Sequence, residues 1–359
     1  MRRSDWYRRL LGAHGRLGRR LFHDGHALPP VQLFFEATAR CDQSCRFCFY
    51  RGVLGRPEDT TAHELPTSAI LDIVHRLPSA RLVSFSGGEP LLRHDLIEIL
   101  GRVGRDRGVS LETNGGRVDP ETARALVVLA ASTLVGPGLI GVDVSLHGRR
   151  STHDWLTRRS GSFDRSTAGL MRLVEERERR GSRFPLLTIK LVLTASNLED
   201  LPWMLDFARQ RGVDHLGVKL LDPGRTAMSL QDRNSPLRGT AQVRTELDSE
   251  RVREVLGATL ARRRIGPEVF LIPLSATVDD AVAHYTSGLD LGARDCLSPW
   301  SRLSVLPGGE FYLCKLFGAG SADRMTPLQA WNSAPYRAFR RQLLDGGLPA
   351  ECVGCCYLE

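Results

Sequence analysis

Cys41-Asp42-Gln43-Ser44-Cys45-Arg46-Phe47-Cys48 places three thiols in one short loop, just after an apolar run from Val31 to Glu36 that reads as a strand. Such a loop can wrap its sulfurs around one soft metal centre, and thiolates select zinc, copper(I) or iron–sulfur clusters. No fourth Cys or His stands at a matching offset. A structural zinc site normally closes with a fourth ligand, so the pattern suggests a cluster with one iron left open.

Outward from this loop, helical and strand patterns alternate. Helices are expected over Pro66–Leu77, Asp95–Arg107, from Asp119-Pro120 to about Ala131, and over Phe163–Gly181 and Leu198–Arg211. Strands are expected over Arg81–Phe85, Val109–Thr113, Gly141–Ser145, Leu186–Thr194 and His215–Leu221. This alternation implies βαβ units and a parallel sheet, and about six units are too few for a closed eightfold barrel. Residues 222–247 read as a polar loop and Asp248–Arg264 as a helix. Beyond about residue 267 the alternation stops and new cysteines appear. The expected division is a basic arm over 1–30, a core over 31–266 and a C-terminal domain over 267–359.

The C-x3-C-x2-C spacing, with Phe47 before the last Cys, resembles the radical S-adenosylmethionine (radical SAM) enzymes. The resemblance implies a partial (β/α)6 barrel. It also implies that Cys41, Cys45 and Cys48 hold a 4Fe–4S cluster whose open iron chelates S-adenosylmethionine (SAM), which an electron then cleaves to a 5′-deoxyadenosyl radical. Ser86-Gly87-Gly88-Glu89-Pro90 follows a strand and matches the family's GGEP stretch, so Gly87, Gly88, Glu89 and Pro90 are expected at the methionine end of SAM. Consecutive glycines also let a backbone approach a ligand closely. The resemblance assigns further cofactor contacts to Phe47, Asn114, Ser145 and Thr194. Where the related pattern has Ser-Leu-Asp-Gly, this chain has Ser145-Leu146-His147-Gly148, which makes His147 a candidate base or substrate ligand as well as a candidate surface histidine.

Cys296, Cys314, Cys352 and Cys355 form a second set, with a β-hairpin expected over Leu303–Cys314 and a helix over Pro335–Leu344. Four sulfurs in two pairs can close a tetrahedral site. The pattern C-x12-G-x4-C followed by C-x2-C resembles the twitch domain, a shortened SPASM domain of α+β type. That resemblance implies an auxiliary 4Fe–4S cluster with no open iron; a zinc ribbon or a disulfide pair are the other readings. Cys356 is left over, unless it trades places with Cys355, and is either a hydrogen-atom donor to a substrate radical or a spectator.

Composition is that of a globular protein: 359 residues, 42% hydrophobic and 25% charged. No secretory segment is apparent, and the long uncharged run Ala125–Val142 is broken by Gly136-Pro137-Gly138, so a cytoplasmic protein without a membrane span is expected. The net charge is +8, concentrated in the Arg-rich arm. The arm reads as a helix over residues 5–22 packed loosely on the enzyme, with nucleic-acid, lipid and transit-peptide readings beside it; no nucleic-acid partner is expected. The family analogy implies two-electron oxidation of a sugar or aminocyclitol in natural-product biosynthesis, with the auxiliary cluster as electron acceptor. A flavodoxin or ferredoxin would be the donor. His147, Lys190, Asp222 and Arg225, near expected strand ends, are the substrate-side candidates. Epimerisation with Cys356 as hydrogen donor, and maturation of a ribosomal peptide, are the alternatives.

Overall fold

The computed structural model describes residues 3–48, 50, 54–56, 59, 61, 63–221, 247–262, 266–286, 294–314, 317–349, 352 and 355. Seven strands pair parallel in chain order: β1 (Gln32–Glu36), β2 (Leu82–Ser86), β3 (Gly108–Thr113), β4 (Gly138–Ser145), β5 (Leu186–Val192), β6 (His215–Lys219) and β7 (Glu268–Ile272). The crossovers carry α2 (Thr67–His75), α3 (Leu96–Val103), α4 (Pro120–Val128), α5 (Arg150–Thr157), α6 (Ser162–Arg179), α7 (Leu201–Gln210) and α8 (Ser249–Ala261). Right-handed crossovers between strands taken in order put every helix on the same face, which rolls a sheet into a barrel. This sheet remains open, so the barrel is partial.

Local chemistry explains the element ends. Asp119 caps α4 by accepting from the Thr122 N–H at 2.7 Å, with Pro120 in the first turn. α3 stops at Val103, short of the expected Arg107, because Gly104 takes the C-cap.

Register assigns the two faces. Leu33, Phe35, Val83, Phe85, Val109, Leu111, Val142, Val144, Leu187 and Ile189 point toward the helices and are buried with Ile70, Ile73, Leu96, Ile99 and Leu173 in one core. The opposite, inner face is polar. Arg302 donates to Gln32 (2.8 Å), Gln32 to Ser84 (3.0 Å), and Ser110 to Ser84 (2.9 Å). Nearer the strand ends the same face carries Glu36, Ser86, Glu112, Asp143, Ser145, Lys190 and Lys219. A small apolar cluster of Leu82, Ala131, Ile140, Phe184 and Leu186 closes the other end.

The sheet continues past the expected division at residue 266/267, because β7 extends it beside β6. After α9 (Val278–Tyr285) and α10 (Ser298–Ser301), β8 (Arg302–Val305) pairs parallel with β1 at the opposite edge. β9 (Glu310–Cys314) and β10 (Phe317–Ser321) then run antiparallel, so the expected hairpin is present as β8–β9. Its turn docks on the core, where the Leu65 N–H donates to the Pro307 carbonyl at 2.7 Å. The chain then forms α11 (Pro327–Trp331) and α12 (Ala334–Asp345).

The arm is not loosely packed. α1 (Arg3–Leu21) lies on α10, with Gly15 and Gly18 bringing its backbone against Leu297 and Trp300. Residues 25–28 are stitched to α11 and α12: Ala27 and Asn332 exchange two hydrogen bonds of 3.0 Å, and the Trp331 indole donates to the Leu28 carbonyl at 2.8 Å. Buried Arg340 donates to the carbonyls of Pro299 (2.8 Å) and Gly25 (3.2 Å). Among the described residues no helix is long and apolar enough to cross a membrane.

Candidate functional site

The cysteine loop leaves the C-terminal end of β1, and Asp42 clamps it. This largely buried carboxylate accepts from Asn114 Nδ2 at 2.6 Å and pairs with Arg159 at 3.0 Å and Arg117 at 3.4 Å. Two connections, β3–α4 and α5–α6, thus converge on the residue after Cys41. The Cys41 N–H donates to the Gly55 carbonyl, the Ser44 N–H to Thr157, and the Arg46 N–H to Leu156, so α5 braces the far side of the loop. Sequence reading missed Asp42, because an Asp between cysteines carries no signal until its distant partners are placed.

Burial pushes the Cys41 thiol up to about 12 and the Cys45 thiol well above its ordinary value. Such thiols ionise only when a bound cationic centre stabilises the thiolate. Among the described residues no three Cys, His, Asp or Glu side chains converge tightly enough for a single metal ion.

Gly87 and Gly88 serve the loop itself. The Gly88 N–H donates to the Thr38 carbonyl and the Glu89 N–H to the Arg40 carbonyl, both at 2.8 Å, which prolongs the β1–β2 pairing beyond both strands. A methyl group on Gly87, where φ is 129°, would meet the Thr38 oxygen at 2.5 Å; one on Gly88 would overlap the Arg40 carbonyl. Glu89 is fully buried and accepts from Leu91 N (3.0 Å), Thr113 Oγ1 (2.7 Å) and Asn114 N (2.7 Å), tying the ends of β2 and β3. Burial raises its carboxyl to about 7. Pro90 is buried at the start of a 3-10 turn over Pro90–Leu92. Beside these glycines lies a cavity of about 500 Å³ lined by Glu36, Thr38, Tyr50, Glu64, Gly87 and the hairpin turn at Pro307–Gly308.

His147 is buried rather than exposed. Its Nδ1 accepts from the Val192 N–H at 3.3 Å, and its ring meets Phe47 edge-on at 4.6 Å and stacks on His153 at 5.6 Å. Desolvation holds it well below the ordinary histidine range, so it is neutral at pH 7. Thr194 is also fully buried, with its N–H and hydroxyl turned to Asn197 Oδ1. Asn197 in turn donates to the carbonyls of His147 (2.9 Å) and Val192 (2.8 Å), a link between β4 and β5 that sequence reading missed. Ser145 is half-buried at the end of β4, on the inner face beside Lys190. Lys190 forms an ion pair with Glu112 of β3. Asp222, Arg225 and Cys356 lie outside the described residues.

The second cysteine set assembles around Cys296. Cys296 and Cys352 are buried together, with Cys355 packed against them. Burial and the neighbouring Cys314 and Cys352 raise the Cys296 thiol. The Cys296 N–H donates to Asp295 Oδ1 at 2.8 Å, and the same carboxylate pairs with Arg19 of α1. The arm is therefore part of the wall of this site.

A parallel βα sheet with three cysteines beyond its first strand, a glycine pair beyond its second and a C-terminal cysteine set defines a radical-type iron–sulfur protein. The chain matches the radical SAM superfamily over residues 35–208 and the iron–sulfur cluster-binding domain SPASM over residues 296–356. It is a radical SAM protein with a C-terminal SPASM/twitch domain, which implies a SAM-binding 4Fe–4S cluster, SAM itself and an auxiliary iron–sulfur cluster. It is 28% identical over 235 residues to the Fe-coproporphyrin III synthase of Methanosarcina barkeri (strain Fusaro / DSM 804), covering 64% of this chain and 51% of that protein. It is 29% identical over 201 residues to the mycofactocin maturase MftC of Mycolicibacterium smegmatis, covering 55% of this chain and 46% of that one. The chain thus spans about half the length of these curated relatives. Its fold is similar to that of Streptococcus suis SuiB bound to S-adenosylmethionine, with a TM-score of 0.64 at 17% identity over 90% of this chain and 71% of SuiB.

Proposed function

We propose that this radical SAM enzyme oxidises a small polar substrate, of the sugar or aminocyclitol kind, by two electrons. One observation carries the reading: toward the strand ends the inner face of the sheet is charged and hydroxyl-lined, while the helix-facing side is apolar except for Thr113. When bound, the cluster and SAM supply the 5′-deoxyadenosyl radical that removes a hydrogen atom from an unactivated carbon.

In this reading Cys41, Cys45 and Cys48 hold the SAM-binding cluster and Cys296, Cys314, Cys352 and Cys355 the auxiliary one. The backbone at Gly87–Glu89, with Asn114 and Ser145, faces SAM. Glu112 and Lys190 bind the substrate's polar groups, and Glu112 takes the proton that leaves as the substrate is oxidised; an auxiliary cluster held by the second cysteine set would supply the electron acceptor. His147 acts by positioning Phe47. A hydrogen atom, a proton and an electron leave the substrate, so the product is lighter by two hydrogens.

The test is turnover of ring-deuterated sugars and aminocyclitols by anaerobically reconstituted enzyme. Deuterium is expected in 5′-deoxyadenosine, with one equivalent per oxidised product. Glu112→Gln is expected to lower product formation more than SAM cleavage. A product from unlabelled substrate in heavy water that has lost no hydrogens and is heavier by one solvent deuterium would mean epimerisation and would overturn the reading. Similarity to MftC favours a second reading, peptide maturation. Tight binding of a precursor peptide, with no turnover of the ring substrates, would put it first.

A further inference from the structure

α1 does more than cover the second cysteine set. Its backbone meets the turn that follows Cys296: a methyl on Gly15 would stand 2.8 Å from Leu297 Cβ, and one on Gly18 3.4 Å from Trp300 Cδ1. This approach brings Arg19 onto Asp295, the residue before Cys296, with the guanidinium also 5.3 Å from the Trp300 ring centroid. Asp295 holds the Cys296 N–H at 2.8 Å, so a negative charge sits beside that cysteine and the cation of α1 faces it. The same turn carries donors suited to sulfur. The Ser298 N–H bonds to the Cys296 sulfur. The Ser298 hydroxyl is buried and has no partner among the described residues. Cluster sulfurs accept such hydrogen bonds, so the turn fits an iron–sulfur group.

We infer that Arg19 is a positioning residue for the auxiliary cluster: by neutralising Asp295 it makes that cluster easier to reduce, so the basic arm sets the potential of the second cysteine set. This builds on the proposed assignment of the auxiliary cluster to Cys296, Cys314, Cys352 and Cys355. Reduction adds one electron to a cluster. A carboxylate beside it opposes that electron and a cation offsets the carboxylate, which is why net charge and hydrogen bonds to sulfur set cluster potentials. Packing alone would not require a cation at position 19, because an apolar side chain would cover Trp300 as well. The side chains of Arg19 and Asp295 are 27% and 49% exposed, so solvent and salt screen part of the effect.

The test is a dithionite titration of reconstituted holoenzyme followed by electron paramagnetic resonance, with SAM present and no substrate. The auxiliary signal is the one that SAM leaves unshifted and Cys296→Ala removes. Arg19→Leu is expected to lower its midpoint by about 59 mV at low salt, an about tenfold weaker hold on the electron, and Arg19→Lys to restore most of it. Asp295→Asn is expected to raise the midpoint. Arg19→Leu/Asp295→Asn is expected to lie near wild type, because the two charges act on each other. Arg20→Leu, at an exposed position on the same helix, is the control and leaves the midpoint unmoved. Should Arg19→Leu shed the auxiliary iron, Asp295→Asn decides alone: a raised midpoint supports the proposal and an unmoved one overturns it. Arg19→Leu with full iron and an unmoved midpoint also overturns it and leaves α1 a packing element. Failure of the cysteine assignment reads differently: Cys296→Ala would then keep the SAM-insensitive signal.

Discussion

Gly88→Ala is expected to dislodge the cysteine loop, and the size of the effect follows from the contacts around that residue. The added methyl would overlap the Arg40 carbonyl oxygen, lie 2.7 Å from its carbon and 3.2 Å from Cys41 Cβ. These are backbone atoms and the Cβ of Cys41, so no flexible side chain can turn aside. Restoring ordinary contact moves the loop by roughly 1 Å, a distance that also breaks the 2.8 Å bonds from Gly88 to Thr38 and from Glu89 to Arg40. Two net backbone hydrogen bonds at about 1 kcal/mol each, with overpacking strain of about 1–3 kcal/mol, give a loss of about 3–5 kcal/mol. The assay is iron per chain after anaerobic reconstitution, together with the thermal midpoint. Iron is expected to fall from about eight to about four, with the midpoint lowered by several degrees. Gly257→Ala is the control. That glycine lies inside α8 with open space where the methyl would go, so the change is expected to be neutral or stabilising by up to about 1 kcal/mol. Full iron and an unmoved midpoint in Gly88→Ala would refute the reasoning.

Asp42→Ala removes the clamp on the same loop. Because Arg117 and Arg159 are part-exposed, the expected stability loss is modest, about 1–2 kcal/mol, and the sharper readout is faster loss of iron to a chelator, partly rescued by Asp42→Asn through the Asn114 contact. Arg340→Met leaves the carbonyls of Gly25 and Pro299 without their buried donor, so about 3 kcal/mol of stability and protease resistance of α1 are expected to be lost together; unchanged cleavage would disprove the coupling. His153 is held neutral by burial, with its pKa lowered to about 4, and His147 is shifted the same way. The unfolded chain binds protons below about pH 6.5 that the folded chain refuses. Stability is therefore full above that pH and falls by roughly 1.4 kcal/mol per pH unit for each histidine as acid is added. A thermal midpoint that stays level from pH 7 to 5.5 would contradict this.

Much of the architecture was legible locally. Periods of two and of 3.6 residues located the six core strands and their helices other than α5, because a half-buried strand and an amphipathic helix each imprint their own spacing on the chain. The cysteine spacings and the Gly-Gly-Glu-Pro stretch pointed to the family, because ligands in one loop must be close in sequence to be close in space. β7 and β10 went unread: each is short, and each owes its place to pairing with a strand formed earlier in the chain.

What tertiary structure alone decided lies in contacts between distant residues. Asp42 is held by Arg159, 117 positions away, and Arg340 reaches Gly25 across 315. No local pattern encodes such pairs. The same holds for the glycines, whose neighbour at close range is the cysteine loop's own backbone, and for His147, which packs under Phe47. The basic arm read as an appendage because its charge is local information. Its docking against Leu297 and Trp300, beside Cys296, emerges only when the two ends of the chain meet.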